Sequence, residues 1–231
     1  NVRSSRQRQM CIRDRINAGA KVSSSGIIKT AVEKGNEQVV VALLENGAPA
    51  TDKNLISSAV EQKNETICRA LLDHGADPNH SLQAAIKNNL NTIASMMLEG
   101  GAVATKPALI IEAVKNDNAY LVKELLAYGA NPDDGMKTAI TKGKTTSFSL
   151  LVAGGADMSK GVYVYLAVKN NRDVMVSTLT DNGAPVNYKT AEGENLMHVA
   201  AANGNRHLCE LLLNLGVDIT AKTNEGNTML H

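Results

Sequence analysis

Aromatic residues are scarce in this chain. Trp is absent, Phe occurs once, and aromatic residues make up 3% of the 231 residues. A hydrophobic core must therefore be built from Leu, Val, Ile, Ala and Met. Hydrophobic residues make up 43% of the chain, so there is enough apolar material for a large core, and the composition is that of an ordinary soluble protein.

A charge excess and a long apolar run are also missing. The formal net charge of +1 provides no overall attraction to nucleic acid or to an anionic membrane. No apolar run approaches the roughly 18 residues that a membrane-spanning helix needs, and no signal peptide is visible. We therefore expect no nucleic acid and no membrane among the partners, and we expect an intracellular, cytoplasmic location.

Cysteine is rare, with three residues in the chain. Cys68 and Cys209 each lie seven residues before a glycine, at Gly75 and Gly216. Elsewhere in the chain the same spacing holds small or apolar residues, namely Val40, Ala94, Val122, Phe148 and Val176. We predict that both cysteines are core residues that form no disulfide, in a reducing compartment.

Motifs of catalysis and of metal binding are missing as well. Gly143-Lys144-Thr145 resembles the end of a phosphate-binding loop, but Thr138 occupies the position where that motif requires its first Gly. Cys68, His74 and His80 are accompanied by no paired Cys-x-x-Cys or His-Glu-x-x-His motif. The sequence therefore predicts no enzyme, with no catalytic residues, no cofactor and no metal site.

Two columns of residues recur along the chain at matching intervals. Gly occurs at 19, 47, 75, 101, 129, 155, 183 and 216, and Ala occurs at 31, 59, 85, 113, 139, 167 and 200. The steps are 26 or 28 residues, except for the last step, which is 33 residues in both columns. Two columns that shift together indicate a structural repeat in which each unit packs mainly on its neighbours.

Each unit predicts a pair of short helices. The first helix carries a small and a large residue, as in Ala31-Val32, and ends at a Gly or Asn suited to left-handed backbone. The second helix begins at a capping residue, for which we predict Asn36, Asn64, Asn118 and Asn205, and in other units Asn91, Thr145 and Asp173. Helices of about ten residues are marginal alone in water, so stacking on neighbouring pairs must stabilise them.

The last part of the chain holds the most complete unit. The unit begins with the loop Gly183-Ala184-Pro185-Val186-Asn187, followed by the turn and first helix at residues 193–201. A turn at Gly204, an apolar run at 211–213 and the loop Gly216-Val217-Asp218 complete it. This order resembles the ankyrin repeat, in which a Thr-Pro-Leu-His-type turn precedes two helices and a Gly-Ala-Asp loop. The resemblance implies an all-α, ankyrin-type helical-repeat solenoid over residues 16–231.

The loops before this last unit depart from the standard ankyrin pattern. From Gly183 to Ala200 the loop Gly and the helix Ala are 17 residues apart, and the family places a β-hairpin finger there. In the earlier units the same two residues are only 10 or 12 apart. We therefore expect most fingers to be missing and replaced by short helix-starting loops, such as Thr105-Lys106-Pro107 and Asp133-Asp134, with a finger only at the C-terminal end.

Both ends of the chain differ from the repeats. Residues 1–15 fit no repeat, and Met10-Cys11-Ile12-Arg13-Asp14 matches the translation of a sequencing adaptor. We expect residues 1–15 to be a non-native, adaptor-like or disordered segment; the alternative is a basic arm for RNA or an acidic partner. His231 falls where another helix would begin, so we expect the repeat domain of residues 16–231 to be truncated at both ends.

Ankyrin proteins bind partner proteins on a concave face made by the finger tips and the first helices. The resemblance implies partner-binding side chains at the two positions after each Ala-Val type pair: Glu33, Lys34, Glu61, Gln62, Lys87, Asn88, Lys115, Asn116, Thr141, Lys142, Lys169, Asn170 and Asn203. This face changes from Glu in the first units to Lys in the later ones, which favours an acidic peptide or protein surface. A solvated helix face that binds nothing explains the same residues equally well.

The sequence therefore predicts a monomeric protein-protein interaction scaffold whose concave face binds another protein with an acidic surface. Two alternatives remain open. The first is a substrate-recognition or regulatory arm of a larger enzyme or adaptor whose active domain lies elsewhere. The second is an architectural spacer, for which changes to the lysine positions would alter no binding.

Overall fold

The computed structural model describes residues 25–229. They fall into two compact units, with the division between Leu109 and Ile110. The predicted non-native segment of residues 1–15 lies outside the described residues, as does Cys11.

Short helices make up the first unit, and neighbouring pairs of them stack. Helix α1 packs on α2 and α3, while α2 packs on α4, so that first helices contact first helices and second helices contact second helices. The helices are α1 (Ser25–Glu33), α2 (Glu37–Glu45), α3 (Lys53–Glu61), α4 (Glu65–Asp73), a 3₁₀ turn (Pro78–His80), α5 (Leu82–Lys87), α6 (Asn91–Glu99) and the beginning of α7 (Pro107–Lys115).

The second unit repeats this arrangement. First helices α9, α11 and α13 stack on one another, and second helix α8 packs on α10. After the end of α7, the helices are α8 (Ala119–Ala127), α9 (Pro132–Lys142), α10 (Thr145–Ala153), α11 (Val162–Lys169), α12 (Asp173–Asp181), α13 (Leu196–Ala202) and α14 (Arg206–Asn214). The predicted all-helical repeat fold is confirmed. None of the helices in residues 25–229 is long and apolar enough to cross a membrane.

The predicted apolar columns form the core. Both members of every Ala-Val or Ala-Ile pair are buried, from Ala31-Val32 to Ala167-Val168. In the second helices, the residue four positions before the repeat Gly is buried in each case, as for Leu125 and Leu212. Cys68 is fully buried, and burial raises the pKa of its thiol to about 12. Cys209 is half-buried, and both cysteines are free thiols.

Asparagine caps begin four of the second helices as predicted. The side-chain oxygens of Asn36, Asn64, Asn118 and Asn205 accept hydrogen bonds of 2.9 to 3.3 Å from the N–H three residues later. The other three predicted caps are wrong. Asn91, Thr145 and Asp173 are each the first residue inside their helix, and the capping residues before them make no side-chain capping bond.

Some of these polar side chains also tie one repeat to the next. The amide of Asn205 donates to the carboxylate of Asp173 at 3.1 Å, and the amide of Asn64 donates to Glu37 at 3.0 Å. Ser147 is fully buried in a column that is otherwise apolar, and its hydroxyl donates to Asp117 at 2.7 Å. Each polar group is therefore satisfied by a neighbouring repeat, which fixes the relative position of the two helix pairs.

Asp133 joins two repeats where a finger is missing. It lies in the first turn of α9, and its carboxylate accepts hydrogen bonds from the N–H of Asp157 at 2.9 Å, from Lys160, and from the hydroxyl of buried Tyr163 at 3.2 Å. Burial acts to raise the pKa of Asp133, but these hydrogen bonds and the charge of Lys160 outweigh it and hold the pKa below its ordinary value. The short predicted loop is confirmed, and Asp133 stabilises it.

A finger does form after α12. Within the described residues, β-type pairing is limited to one antiparallel bridge between Lys189 and Asn195, around a turn in which Gly193 has a φ of +83°. A similar turn follows at residues 223–227, where the N–H of Thr223 donates to the carbonyl of Asn227. Within residues 25–229, hairpin-type turns thus occur only in the C-terminal part, as predicted.

Replacing Asp133 by Asn should destabilise the protein at neutral pH, because the charged acceptor of Lys160 is lost. We expect a loss of about 1 to 3 kcal/mol in the free energy of unfolding, measured by urea denaturation. Folding lowers the pKa of Asp133, so its ionised carboxylate contributes to the free energy of unfolding. This contribution is complete above the pKa of about 3.9 in the unfolded chain, and it is lost as the pH falls through the lower pKa of the folded protein. The difference between wild type and variant should therefore shrink in acid. Asp73→Asn, at an exposed position, is the control; a pH-independent difference would contradict the assignment.

Candidate protein-binding face

The predicted partner-binding side chains all lie at or just after the C-terminal ends of first helices. In the first unit they are Glu33, Lys34, Glu61, Gln62, Lys87 and Asn88, and in the second unit Lys115, Asn116, Thr141, Lys142, Lys169, Asn170 and Asn203. Every one of them is exposed or half-buried. We call the second-unit set the lysine face. These side chains differ in whether their polar groups are already hydrogen-bonded within the fold or are available to a partner.

Two of the amides are used to connect repeats. Gln62 donates from its side-chain nitrogen to the carbonyl of Val32 at 2.9 Å, and Asn203 donates to the carbonyl of Val168 at 3.0 Å. The last carbonyls of a helix have no partner in their own helix. Gln62 and Asn203 each add a second hydrogen bond to such a carbonyl in the preceding first helix, which also accepts from the backbone N–H three residues later, so these amides contribute to stacking.

Other polar side chains of the set bond within their own helix. Asn88 and Asn170 donate to the carbonyls four residues earlier, at 2.9 and 2.8 Å. Thr141 does the same through its hydroxyl, at 2.8 Å. Asn88 and Asn170 share a column of the sequence that the resemblance associates with ligand binding, but the helix carbonyls to which they donate cannot be seen in that column. The amide part of the predicted groove is thus engaged in ending the helices.

The charged side chains are less constrained. Lys115 pairs with half-buried Glu112 at 3.0 Å. Glu33 lies 3.9 Å from Lys29, and this exposed pair contributes little to stability. Lys142 is exposed and forms no ion pair or hydrogen bond through its side chain to any described residue. The charge of Lys142 is therefore available to solvent or to a ligand, while that of Lys115 is shared with Glu112.

An aromatic pair that sequence reasoning missed lies beside Lys169. The ring centroids of Tyr165 and Tyr188 are 5.1 Å apart with an interplanar angle of 34°. The Lys169 ammonium is 5.6 Å from the centroid of Tyr165 and 3.4 Å from its hydroxyl. Tyr165 occupies the column that holds His198 in the standard repeat, and this aromatic substitution in an aromatic-poor chain was the available signal.

His198 is structural. Its backbone N–H and that of Met197 both donate to the Asn195 side chain at 3.1 Å, and its imidazole contacts Asn195 and, at 3.2 Å, the carbonyl of Asn227. Asn195 also donates to the carbonyl of Asp218 at 2.7 Å. The buried Asn195–His198 pair thus connects the first finger to the turn after it.

The fingers themselves are acidic. A shallow groove between the two turns is lined by Glu192, Glu194, Asn224 and Glu225, among others. Hydrogen bonds from its own N–H and from the Thr190 hydroxyl, together with the charge of Lys169, hold the pKa of Glu192 below its ordinary value. Positive charge therefore lies along the helix ends of this unit, and negative charge lies on the fingers.

The residues considered as metal ligands do not form a site. His74 contacts the carbonyl of Ala70 at 2.8 Å, and His80 lies 3.6 Å from Asp77. Among the described residues, no group of three or more His, Cys, Asp or Glu side chains is arranged to hold a metal ion. The segment Gly143-Lys144-Thr145 forms the junction of α9 and α10.

Comparison with known proteins agrees with this fold. The family model for ankyrin repeats, in three copies, matches residues 164–231. The crystal structure of the human ASB11 ankyrin repeat domain is similar, with a TM-score of 0.64 and 21% sequence identity, over 76% of this chain and 89% of that chain. Residues 164–231 thus match the ankyrin repeat family, and the stacked helix pairs have the fold of an ankyrin repeat domain.

The curated relatives that match by sequence include two ankyrin repeat proteins. The Caenorhabditis elegans ankyrin repeat and KH domain-containing protein mask-1 is 26% identical over 157 residues, which is 63% of this chain and 6% of that protein. The putative ankyrin repeat protein FPV219 of Fowlpox virus (strain NVSL) is 30% identical over 129 residues, 56% of this chain and 24% of that protein. The chain thus spans less than a quarter of the length of either relative.

Replacing Asn203 by Ala should weaken the protein, because the hydrogen bond that connects Asn203 to the carbonyl of Val168 in the preceding first helix is lost. We expect the free energy of unfolding to fall by about 1 kcal/mol in urea denaturation. Asn214→Ala, at an exposed position in the last turn of α14, is the matched control and should change stability by less than about 0.5 kcal/mol. Equal stability of Asn203→Ala and wild type would show that this amide contributes nothing to stacking.

Proposed function

We propose that this ankyrin repeat domain is a scaffold that binds an acidic surface of another protein through the lysine face. Ankyrin repeat domains are in general protein-binding scaffolds, and the choice of face rests on the local chemistry. The single observation that carries it is the contrast between the engaged amides, such as Asn170 and Asn203, and the exposed charge of Lys142. Recognition by this face is therefore mainly electrostatic.

Several lysines must act together for useful affinity. An exposed ion pair contributes at most about 1 kcal/mol, so no single contact with Lys115, Lys142 or Lys169 can hold a partner. Complementary charge acts chiefly on the rate of association and on the choice of partner. We therefore expect binding that weakens as the salt concentration rises.

A second candidate is a recognition arm within a larger polypeptide. It is favoured by the size of the two relatives, of which this chain spans 6% and 24%, and by the name of the first, which includes a KH domain. In that case the lysine face would select the partner while another domain acts on it. An architectural spacer differs from both, because no change at the lysine face would then affect binding.

The triple substitution Lys115→Glu, Lys142→Glu and Lys169→Glu tests the proposal. All three side chains are exposed, so helicity measured by circular dichroism should stay unchanged. Partners captured by immobilised wild type from lysate at low salt, and identified by mass spectrometry, should be lost on the variant, by about tenfold or more. Raising the salt concentration should release the same partners from wild type.

Three other exposed lysines provide the matched control. The control variant combines Lys53→Glu, Lys106→Glu and Lys123→Glu. It changes the net charge by the same amount as the first variant and leaves the lysine face intact. This control should retain the partners that the first variant loses. Equal capture by all three proteins would contradict the proposal and favour the spacer; equal loss in both variants would mean that net charge, not the face, determines binding.

A further inference from the structure

We infer that Tyr165 and Tyr188 form an aromatic anchor site in the second unit, for an aromatic side chain of an acidic linear peptide. Lys169 lies beside the pair and would receive a carboxylate of the same peptide. The inference rests on the proposed function and makes it more specific. At this anchor site, burial of apolar surface would add to the attraction between the lysines and an acidic peptide.

The two rings are held in position by their surroundings. A Cβ atom built on Gly161 would lie 3.2 Å from Cβ of Tyr188 and 3.5 Å from Cγ of Pro185. Tyr188 therefore packs directly over the backbone of Gly161 at the start of α11. A side chain at position 161 would crowd Tyr188. Tyr165 lies in α11 and its ring contacts that of Tyr188, so each ring already packs on the fold without a ligand, which limits the conformational freedom lost on binding.

The pair is not needed to fill the core. Tyr163, two residues away, is 2% exposed and donates its hydroxyl to Asp133, as a structural tyrosine does. Tyr165 and Tyr188 are both half-buried, so part of each ring faces solvent. Tyrosine is enriched in the centres of protein interfaces, because it offers a large rigid contact area with a polar end.

Charge determines which kind of peptide fits. The Lys169 ammonium already lies at cation–π distance from Tyr165, so a second cation placed on that ring would be repelled. Carboxylates are attracted towards Lys169 and, on the adjacent first helix, towards Lys142. Glu192 on the finger repels them, which directs an acidic peptide along the helix ends rather than across the finger.

The test compares three fluorescent peptides bound to the full chain, followed by anisotropy at low salt. The first is a run of Glu with one central Phe, the second has Ala in place of Phe, and the third has Lys in place of every Glu. We expect the Phe peptide to bind wild type about tenfold tighter than the Ala peptide, because one aromatic side chain is buried on the tyrosine pair. The Lys peptide should bind more weakly than either.

Tyr165→Ala with Tyr188→Ala should remove the advantage of the Phe peptide and leave the affinity for the Ala peptide unchanged. Tyr120→Ala with Tyr128→Ala, at exposed tyrosines associated with α8, is the matched control and should keep the advantage. Circular dichroism checks that both variants are folded, and the comparison of peptides on wild type requires no variant.

Two negative results have different meanings. Equal affinity of wild type for the Phe and Ala peptides, or an advantage that survives the loss of both tyrosines, would overturn the anchor site while the proposed function stands. If neither acidic peptide binds better than the Lys peptide, the proposed function fails, and the anchor site fails with it.

Discussion

The structure depends on burial between neighbouring helix pairs. Most of its helices have nine residues, a length that is marginal for an isolated helix in water. What stabilises them is the apolar column of each second helix, in which Leu71, Leu125 and Leu212 are fully buried, together with the Ala-Val pairs of the first helices. Because each pair is covered by its neighbours, stability belongs to the stack and not to the single unit.

Polar groups at the helix ends complete this arrangement and at the same time shape the candidate site. Gln62 and Asn203 donate to carbonyls of the preceding first helix, while Asp133 supports a loop that has no finger. Once these groups are engaged within the fold, the side chains left to a partner on the lysine face are its ammonium groups and the neighbouring tyrosine pair. The proposed binding mode, charge along the helix ends with one aromatic anchor, follows from that division.

Much of the fold could be predicted from sequence, because short-range patterns determine it: Gly and Ala columns, asparagine caps and the spacing of the last unit. The predictions for Asn91, Thr145 and Asp173 failed because a capping side chain at the right distance does not fix which residue begins the helix. The candidate site was predictable only as a column of positions. No local pattern reveals that Asn203 donates to a carbonyl or that Tyr165 contacts Tyr188, because each partner lies more than 20 positions away in the sequence.

Hydrogen exchange of the native protein, measured by mass spectrometry after replacing Leu125 by Ala, tests the dependence on neighbours most directly. Leu125 is fully buried in α8, which packs on α10, and its truncation should cost about 2 to 5 kcal/mol. Stacking predicts that amides of α10 lose protection together with those of α8. If protection falls in α8 alone and α10 exchanges as in wild type, the helix pairs are stable independently and the central claim is wrong.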